Sequence, residues 1–407
     1  MKNMLTEIRH GRLYGDLLLM GLLSFILLSC SFSKGQDGII TGAEQTGMYL
    51  PMLEGKSMGI VANQTSVIGR THLVDSLMSM GNGMVIRRVF CPEHGFRGEA
   101  EAGHLIENDR DPSTGLPMVS LYGQNRKPRA AALSDLDVVV FDIQDVGTRF
   151  YTYLSTLTYV MQACAENGRQ LILLDRPNPN GFYVDGPVLD TSYRSFVGMH
   201  EVPVVHGMTL GEYAQMINGE GWLGNNLVCD LVVIPCLHYD HSEYYTLPVS
   251  PSPNLPNMNA VYLYPSTCFF EGTVISEGRG TAFPFEVFGH PLLEHATFTF
   301  IPESIPGKST HPKLEGQTCK GVDLRYLRGH EQREGRINLD WLLFAYENFP
   351  EKEAFFTPYF EKLAGTGHLR QQIVDGMTSD EIRSTWSKGI RAFKETRKRY
   401  LLYPDFE

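Results

Sequence analysis

From about residue 40 to 240, short apolar runs alternate with stretches of helical spacing. Met58 to Ala62 predicts a strand, Thr71 to Met80 a helix, and Met84 to Phe90 the next strand. Asp137 to Ile143 (DVVVFDI) is apolar almost throughout and of strand length; Tyr153 to Asn167 follows as a helix closed by Gly168. Gln170 to Leu174 returns as a strand ending in Asp175. Met208 to Asn218 has helical spacing, with Thr209 as its cap and Glu212 three residues on completing a capping box. Leu231 to Pro235 predicts a further strand. Continuous Val, Ile and Leu runs belong to strands buried on both faces, so the expected fold is α/β, a mostly parallel sheet covered by helices. Ligands of such sheets bind beyond the carboxyl ends of the strands. No G-x-G-x-x-G follows any of these strands, so the sheet is Rossmann-like in wiring only and no dinucleotide cofactor is expected.

Beyond about His290 the pattern changes. Phe298 to Ile301 and Val322 to Leu327 predict strands, and Asn338 to Phe349 a helix. A last helix is expected from Thr378 or Ser379 to about Leu402, with Ile382, Trp386, Ile390 and Phe393 on one face. Its basic run, Lys394 to Arg399, is expected to be solvated and favoured by the helix dipole. Residues 46–290 are thus read as the Rossmann-like domain and 291–407 as a smaller α+β domain.

The N-terminus follows another logic. Lys2, Arg9 and Arg12 precede an apolar run from Leu17 to Leu28, too short to cross a hydrocarbon core of roughly 30 Å but of signal-peptide length. It ends Leu27-Leu28-Ser29-Cys30, which looks like a bacterial lipoprotein signal. Residues 1–30 are therefore expected to be a leader, Cys30 the lipidated residue, and 31–45 a tether. The expected location is the cell envelope, as a periplasmic or outer-membrane lipoprotein.

Composition narrows the function. A formal charge of −11, with no segment that gathers basic residues on a strand or loop, argues against nucleic acid as a partner. Six cysteines follow Cys30, none in paired C-x2-C spacing, so a structural zinc site has no support. Cys229, Cys236 and Cys268 sit in apolar runs and are expected to be buried small hydrophobes.

Four polar clusters follow apolar runs. The first, Cys91 to Glu99, sets Glu93 and His94 before Gly95, a candidate acid/base centre or a solvated turn. The second runs from Asp142 to Tyr153. Asp142 lies inside an apolar run and needs a partner such as Arg149, so it holds the fold or serves the site. Asp145 at the strand end is better placed to face a ligand, and Tyr151 and Tyr153 offer flat faces on which sugars stack. The third, Asp175-Arg176-Pro177-Asn178-Pro179-Asn180-Gly181, is a stiff loop of donors, for recognition or simply for turning. The fourth spans Ser250 to Asn257, then Glu271 through Glu277 to Thr281. In it Glu277 is a candidate carboxylate and Arg279 a cation able to receive a lactyl carboxylate.

Together these strings resemble the exo-β-N-acetylmuramidase family of peptidoglycan hydrolases. The matching stretches are VANQTS at 61–66, CPEHGFRG at 91–98, FDIQDVGTRFYTY at 141–153, LLDRPNPNG at 173–181, GMTLGEYA at 207–214, PSPNLPN at 251–257 and EGRGT at 277–281. The resemblance implies a Rossmann-like domain with an auxiliary C-terminal domain and a cleft between them. It also implies release of terminal N-acetylmuramic acid from the non-reducing end of short glycans, without a cofactor. Peptidoglycan-derived disaccharides and muropeptides would be the partners, with the membrane engaged through the lipid on Cys30. By position Glu93 matches the glutamate expected to act as general acid. His94, Asp142, Asp145, Arg149, Tyr151, Asp175, Arg176, Asn178, Glu277 and Arg279 are expected to line the site.

Glycoside cleavage needs a proton for the leaving oxygen and stabilisation of an oxocarbenium-like centre. The expected assignment is Glu93 as acid, with Asp145 or Glu277 as second carboxylate; the acetamido group of the substrate is an alternative nucleophile. Two other readings stand beside it. One is a metal-assisted envelope hydrolase or amidase using Glu93, His94, His104 and Asp145; the other is a lipoprotein that binds muropeptides without turnover.

Overall fold

Side chains along the inner strands sort alternately onto two hydrophobic cores, and that sorting builds the sheet. The computed structural model describes residues 38–81, 83–93, 95–97, 110–327 and 334–407. Cys30 and the leader, together with His94 and His104, lie outside the described residues. In chain order the strands are β1 (Ser57–Ala62), β2 (Val67–Ile68), β3 (Thr71–His72), β4 (Val85–Cys91), β5 (Met118–Ser120) and β6 (Val138–Asp142). There follow β7 (Gln170–Leu174), β8 (Leu231–Ile234), β9 (Val287–His290), β10 (Phe298–Phe300) and β11 (Cys319–Asp323). Six of them form one sheet in the order β5-β4-β1-β6-β7-β8, parallel throughout.

In β6, Val138 and Val140 enter one core while Val139 and Phe141 enter the other. The same split divides Leu171 and Leu173 from Ile172 and Leu174 in β7, and Phe90 from Val89 and Cys91 in β4. One core is closed by the helices Thr46–Leu53 and Leu73–Met80 through Tyr49, Leu53, Leu73, Val74 and Leu77. The other receives Leu154, Leu157 and Met161 of the helix Tyr153–Glu166 and Tyr213 and Ile217 of Leu210–Gly219. This second core continues without a break into Phe269, Phe288 and Trp386, so the C-terminal part shares it.

The smaller part carries the antiparallel sheet β10-β11-β9 with the helices Asp340–Glu347, Phe360–Ala364, His368–Val374 and Ser379–Arg397. The α/β sheet with an α+β addition is therefore the architecture, and residues from Ile40 onward form one compact unit. The strand expected at 322–327 lies at Cys319–Asp323 instead, and the helix expected from Thr71 starts at Leu73 because Thr71 and His72 pair with β2. The capping box expected of Thr209 and Glu212 forms, and others form at Thr41 with Glu44 and at Thr378 with Glu381. The run Lys394 to Arg399 departs from expectation at one residue. Arg397 is fully buried, donating to the Gly207 carbonyl and to both carboxylate oxygens of Asp405, and so ties the last helix to the loop before Thr209. The six cysteines from Cys91 to Cys319 are free and buried.

Candidate active site

A cavity of about 330 Å³ opens at the carboxyl-end rim of the parallel sheet, against the C-terminal part. That is at the small end of the roughly 300–1,000 Å³ usual for ligand sites, and suits one sugar ring. Its walls come from loops that no single stretch of sequence unites. Glu93 enters from the turn after β4, closed where the Gly95 N–H donates to the Pro92 carbonyl at 3.1 Å. Phe150, Tyr151, Thr152 and Tyr153 enter from the loop after β6, while Glu271 and Arg279 come from the segment following the helix Met258–Thr267.

The loop after β6 turns at Gly147 with φ +80°, and a Cβ there would stand 2.1 Å from Oδ1 of Asn178. Only glycine fits that backbone beside that side chain. From there the aromatic wall is laid edge to face: Tyr151 against Tyr153 at 4.9 Å, Phe150 against Tyr264 at 5.4 Å, and Tyr264 against Phe285 at 4.9 Å. The Tyr151 hydroxyl donates to the Pro251 carbonyl at 2.9 Å, and Asn63 Nδ2 donates to the Tyr153 hydroxyl at 2.9 Å, so both rings are fixed.

Two glutamates face this cavity. Glu93 is held by neutral hydroxyls: Thr152 Oγ1 donates to its Oε2 at 3.2 Å, and the Tyr122 hydroxyl bonds to it. Burial, then the charge of Glu93, pushes the Tyr122 phenol up to about 12, so Tyr122 stays a donor. Glu271 is instead ion-paired. Arg279 donates to its Oε1 from Nε at 3.1 Å and Nη2 at 2.5 Å, leaving Oε2, among the described residues, with only a weak 3.8 Å contact from the Cys268 thiol. Tyr359 stands near both acids. Burial, then the charges of Glu271, Cys268 and Glu93, hold its phenol well above the ordinary range.

The remaining residues singled out by sequence are placed as follows. Tyr151 and Arg279 line the cavity with Glu93. Glu277 is buried behind Arg279, 3.4 Å from its Nε and 2.7 Å from Lys313 Nζ. Burial acts to raise the Glu277 carboxyl, but the two cations outweigh it and hold it below the ordinary value. Asp145 is buried behind the aromatic wall; its Oδ2 accepts from the Gly147 N–H at 2.7 Å and its Oδ1 has no partner among the described residues. Burial raises the Asp145 carboxyl to about 7.

Asp142, Arg149, Asp175, Arg176 and Asn178 all lie in the interior, bonded to the protein itself. The partner expected for Asp142 was Arg149; the structure gives it Arg176. Arg149 instead donates to four carbonyls, those of Pro187, Val202, Leu363 and Ala364, and so bolts the sheet domain to the helix Phe360–Ala364. Asp175 accepts from Thr209 Oγ1 at 2.7 Å, the Gly211 N–H at 2.8 Å and the Tyr403 hydroxyl at 2.6 Å, pinning the C-terminal tail. Asn178 donates to the Met208 carbonyl at 2.9 Å.

Glu271, Tyr122, Arg126, Tyr359 and Lys362 complete the cavity and were not singled out by sequence. Only Glu271 carried a signal, standing eight residues before Arg279 in the same polar segment. Among the described residues no three His, Cys, Asp or Glu side chains converge as metal ligands would.

A parallel α/β sheet whose rim presents two glutamates in an aromatic, sugar-sized cavity defines a glycoside hydrolase. The comparisons with known proteins give the same class. The family model "Exo-beta-N-acetylmuramidase NamZ, N-terminal" matches residues 58–259, and its C-terminal counterpart matches residues 262–403. The chain belongs to the exo-β-N-acetylmuramidase family. It is 37% identical to the peptidoglycan β-N-acetylmuramidase NamZ of Bacillus subtilis (strain 168) over 372 residues, 87% of this chain and 89% of that protein. Two crystal structures of DUF1343 family proteins from Bacteroides fragilis NCTC 9343 share the fold. One superposes with a TM-score of 0.84 at 48% identity, covering 91% of this chain and all of that one. The other does so with a TM-score of 0.75 at 28% identity, covering 90% and 99%.

Proposed function

We propose that this protein is an exo-acting glycosidase that releases N-acetylmuramic acid from the non-reducing end of peptidoglycan fragments, and that Glu93 is its general acid. The observation that carries this reading is the position of Glu93: on the rim beyond β4, in a cavity that also holds Glu271, and, among the described residues, bonded by hydroxyls and paired with no cation. A carboxyl so held is free to give its proton to the leaving oxygen. Glu271, fixed through one oxygen by Arg279, presents its other oxygen to the positive charge that develops at the anomeric centre. Arg279 faces two carboxylates, Glu271 and Glu277, which together would repel a third, so the lactyl carboxylate of the substrate falls to Arg126, which is exposed at the rim with its guanidinium 4.2 Å over Phe196. The aromatic wall stacks the sugar, and Tyr359 supplies a hydroxyl donor, that of Tyr122 being held by Glu93.

The test is incubation with a MurNAc–GlcNAc disaccharide, following free sugar and its anomeric form by NMR. The wild-type protein is expected to release both sugars. Glu93→Gln is expected to reduce the rate by about 10²–10⁴-fold, the usual contribution of a general acid. Wild-type turnover in that variant would remove Glu93 from the mechanism.

The proposed location is the cell envelope, periplasmic or on the outer membrane, held by a lipid on Cys30. The support is the leader pattern that ends at Ser29-Cys30. Cys30→Ser is expected to move the protein from the membrane fraction to the soluble one; unchanged fractionation would exclude the anchor.

A further inference from the structure

A second groove, of about 340 Å³, adjoins the catalytic cavity and shares Lys362 with it. Both walls run from one to the other. Tyr193 and Arg194 line the groove just before Ser195 and Phe196 enter the cavity, and Pro358 lines it just before Tyr359 does. The groove is therefore the path by which anything longer than one sugar leaves the catalytic centre on this side.

Its chemistry is cationic in a protein of net charge −11. Arg194, Lys362 and Arg370 line it against a single carboxylate, Glu361, which pairs with Arg370 at 3.1 Å. Arg370 is fixed in place: its guanidinium lies 5.0 Å over Phe356, Nη2 reaches the Thr357 carbonyl at 3.5 Å, and the buried Nε has no partner among the described residues. Among the described residues, Arg194 and Lys362 pair with no carboxylate; both are exposed. Tyr193 and Pro358 add apolar faces between these charges. Cations interleaved with flat apolar surface suit a carbohydrate that carries a carboxylate.

We infer that this groove is a subsite for the leaving part of a glycan longer than a disaccharide, and that Arg194 and Arg370 receive the lactyl carboxylate of the next muramic acid along the strand. The inference rests on the function proposed above. In a strand where the lactyl-bearing sugar recurs at every second position, cleavage at the first linkage leaves a neutral sugar beside the cavity and an anionic one beyond it. The cavity holds the terminal sugar, the shared Lys362 marks the edge where the neutral one passes, and the groove beyond that edge meets the anionic one. A disaccharide has no carboxylate to place there.

The experiment compares peptide-free MurNAc–GlcNAc disaccharide, the corresponding tetrasaccharide, and a disaccharide that carries a stem peptide, on the wild-type protein and on an Arg194→Gln/Arg370→Gln variant. The wild-type protein is expected to show a kcat/KM for the tetrasaccharide about 10-fold above that for the disaccharide, mostly through KM, which is what two partly exposed charge pairs supply. The advantage is expected to shrink with added salt and to collapse in the variant. Arg194→Lys, which keeps the charge, is expected to retain part of it, separating recognition from damage to the fold. Equal values for the two glycans, or an advantage that survives in the variant, would overturn the subsite. An advantage seen with the stem peptide and not with the tetrasaccharide would assign the groove to peptide and overturn it as well. Absence of any disaccharide turnover by the wild-type protein would count against the proposed function itself, independently of these ratios.

Discussion

Arg176 grips Asp142 at two points, Nε to Oδ1 at 2.6 Å and Nη2 to Oδ2 at 2.9 Å, with both side chains almost wholly removed from water. The pair joins the ends of β6 and β7, and Arg176 also donates to the Val67 carbonyl at 2.9 Å, drawing β2 onto the same point. The rim that carries the active site is thus built on an ion pair that never reaches it. Removing one partner strands the other charge in the interior, which costs about 3–5 kcal/mol. Asp142→Asn is expected to lower the thermal midpoint clearly while the protein that remains folded keeps near-normal kcat. A midpoint equal to the wild type would show that the pair contributes nothing.

Gly147 makes a second structural prediction. Its left-handed backbone and its contact with Asn178 leave no room for a methyl group. Gly147→Ala is expected to destabilise by about 2 kcal/mol or more, and to lower activity because the same loop carries Tyr151 and Thr152 into the cavity. Denaturant unfolding together with the disaccharide assay checks both effects. The double variant with Asn178→Ala, which removes the clashing amide, is expected to recover part of the stability lost.

Asp145 predicts how stability changes with pH. Burial raises its carboxyl from an ordinary value of 3.8 to about 7, so the folded state holds a proton that the unfolded chain has released. Between about pH 4 and 7 the folded protein therefore binds more protons than the unfolded one, and stability falls as pH rises. Above pH 7 the loss is complete and constant. Asp145→Asn removes the titration, so the stability of the variant relative to wild type is expected to climb from pH 5 to pH 8, by on the order of a few kcal/mol. A relative stability that stays flat across that range would mean Asp145 is not protonated in the fold.

How much of this was legible in the sequence follows from what each feature depends on. The strands were legible because Val138 to Asp142 and Gln170 to Leu174 are buried on both faces, and double burial writes itself as an unbroken apolar run. The caps at Thr209 and Thr378 were legible because their partners lie three residues away. The helix Met258–Thr267 was not: Pro265 lies inside it and a proline-rich loop precedes it, so local propensity argues against it, and burial of Val261, Leu263 and Tyr264 decides. In the site, Glu93 stood out because it leaves a strand. Asp142, Asp175, Arg176 and Asn178 leave strands too, yet their partners, among them Arg176, Tyr403 and the Met208 carbonyl, are tertiary neighbours. Sequence distinguishes a polar residue at the rim from an apolar one, but not a side chain facing outward from one satisfied within. Tyr122, Arg126, Tyr359 and Lys362 come from segments with no pattern of their own, and only folding brings them to Glu93.

The contrast between Glu271 and Glu277 separates a group that meets substrate from one that holds such a group in place. Both bond to Arg279, but Glu271 faces the cavity and Glu277 lies behind, between Arg279 and Lys313. Glu271→Gln keeps the shape and removes the charge that the reaction centre meets, so kcat is expected to fall by about 10²-fold or more, with little change in the thermal midpoint. Glu277→Gln leaves Lys313 and Arg279 without their shared counter-ion. It is therefore expected to cost about 3 kcal/mol of stability while lowering kcat much less, through looser placement of Arg279. The pH dependence of stability gives an independent sign. Lys313 and Arg279 hold the Glu277 carboxyl below its ordinary value of 4.5 despite burial. Its contribution is thus fully present above pH 4.5 and is lost as pH falls through the lowered value. The midpoint difference between wild type and Glu277→Gln is expected to be constant from pH 8 to 5 and to narrow only in more acidic solution. If Glu277→Gln abolishes turnover at an unchanged midpoint, the roles of the two glutamates must be exchanged.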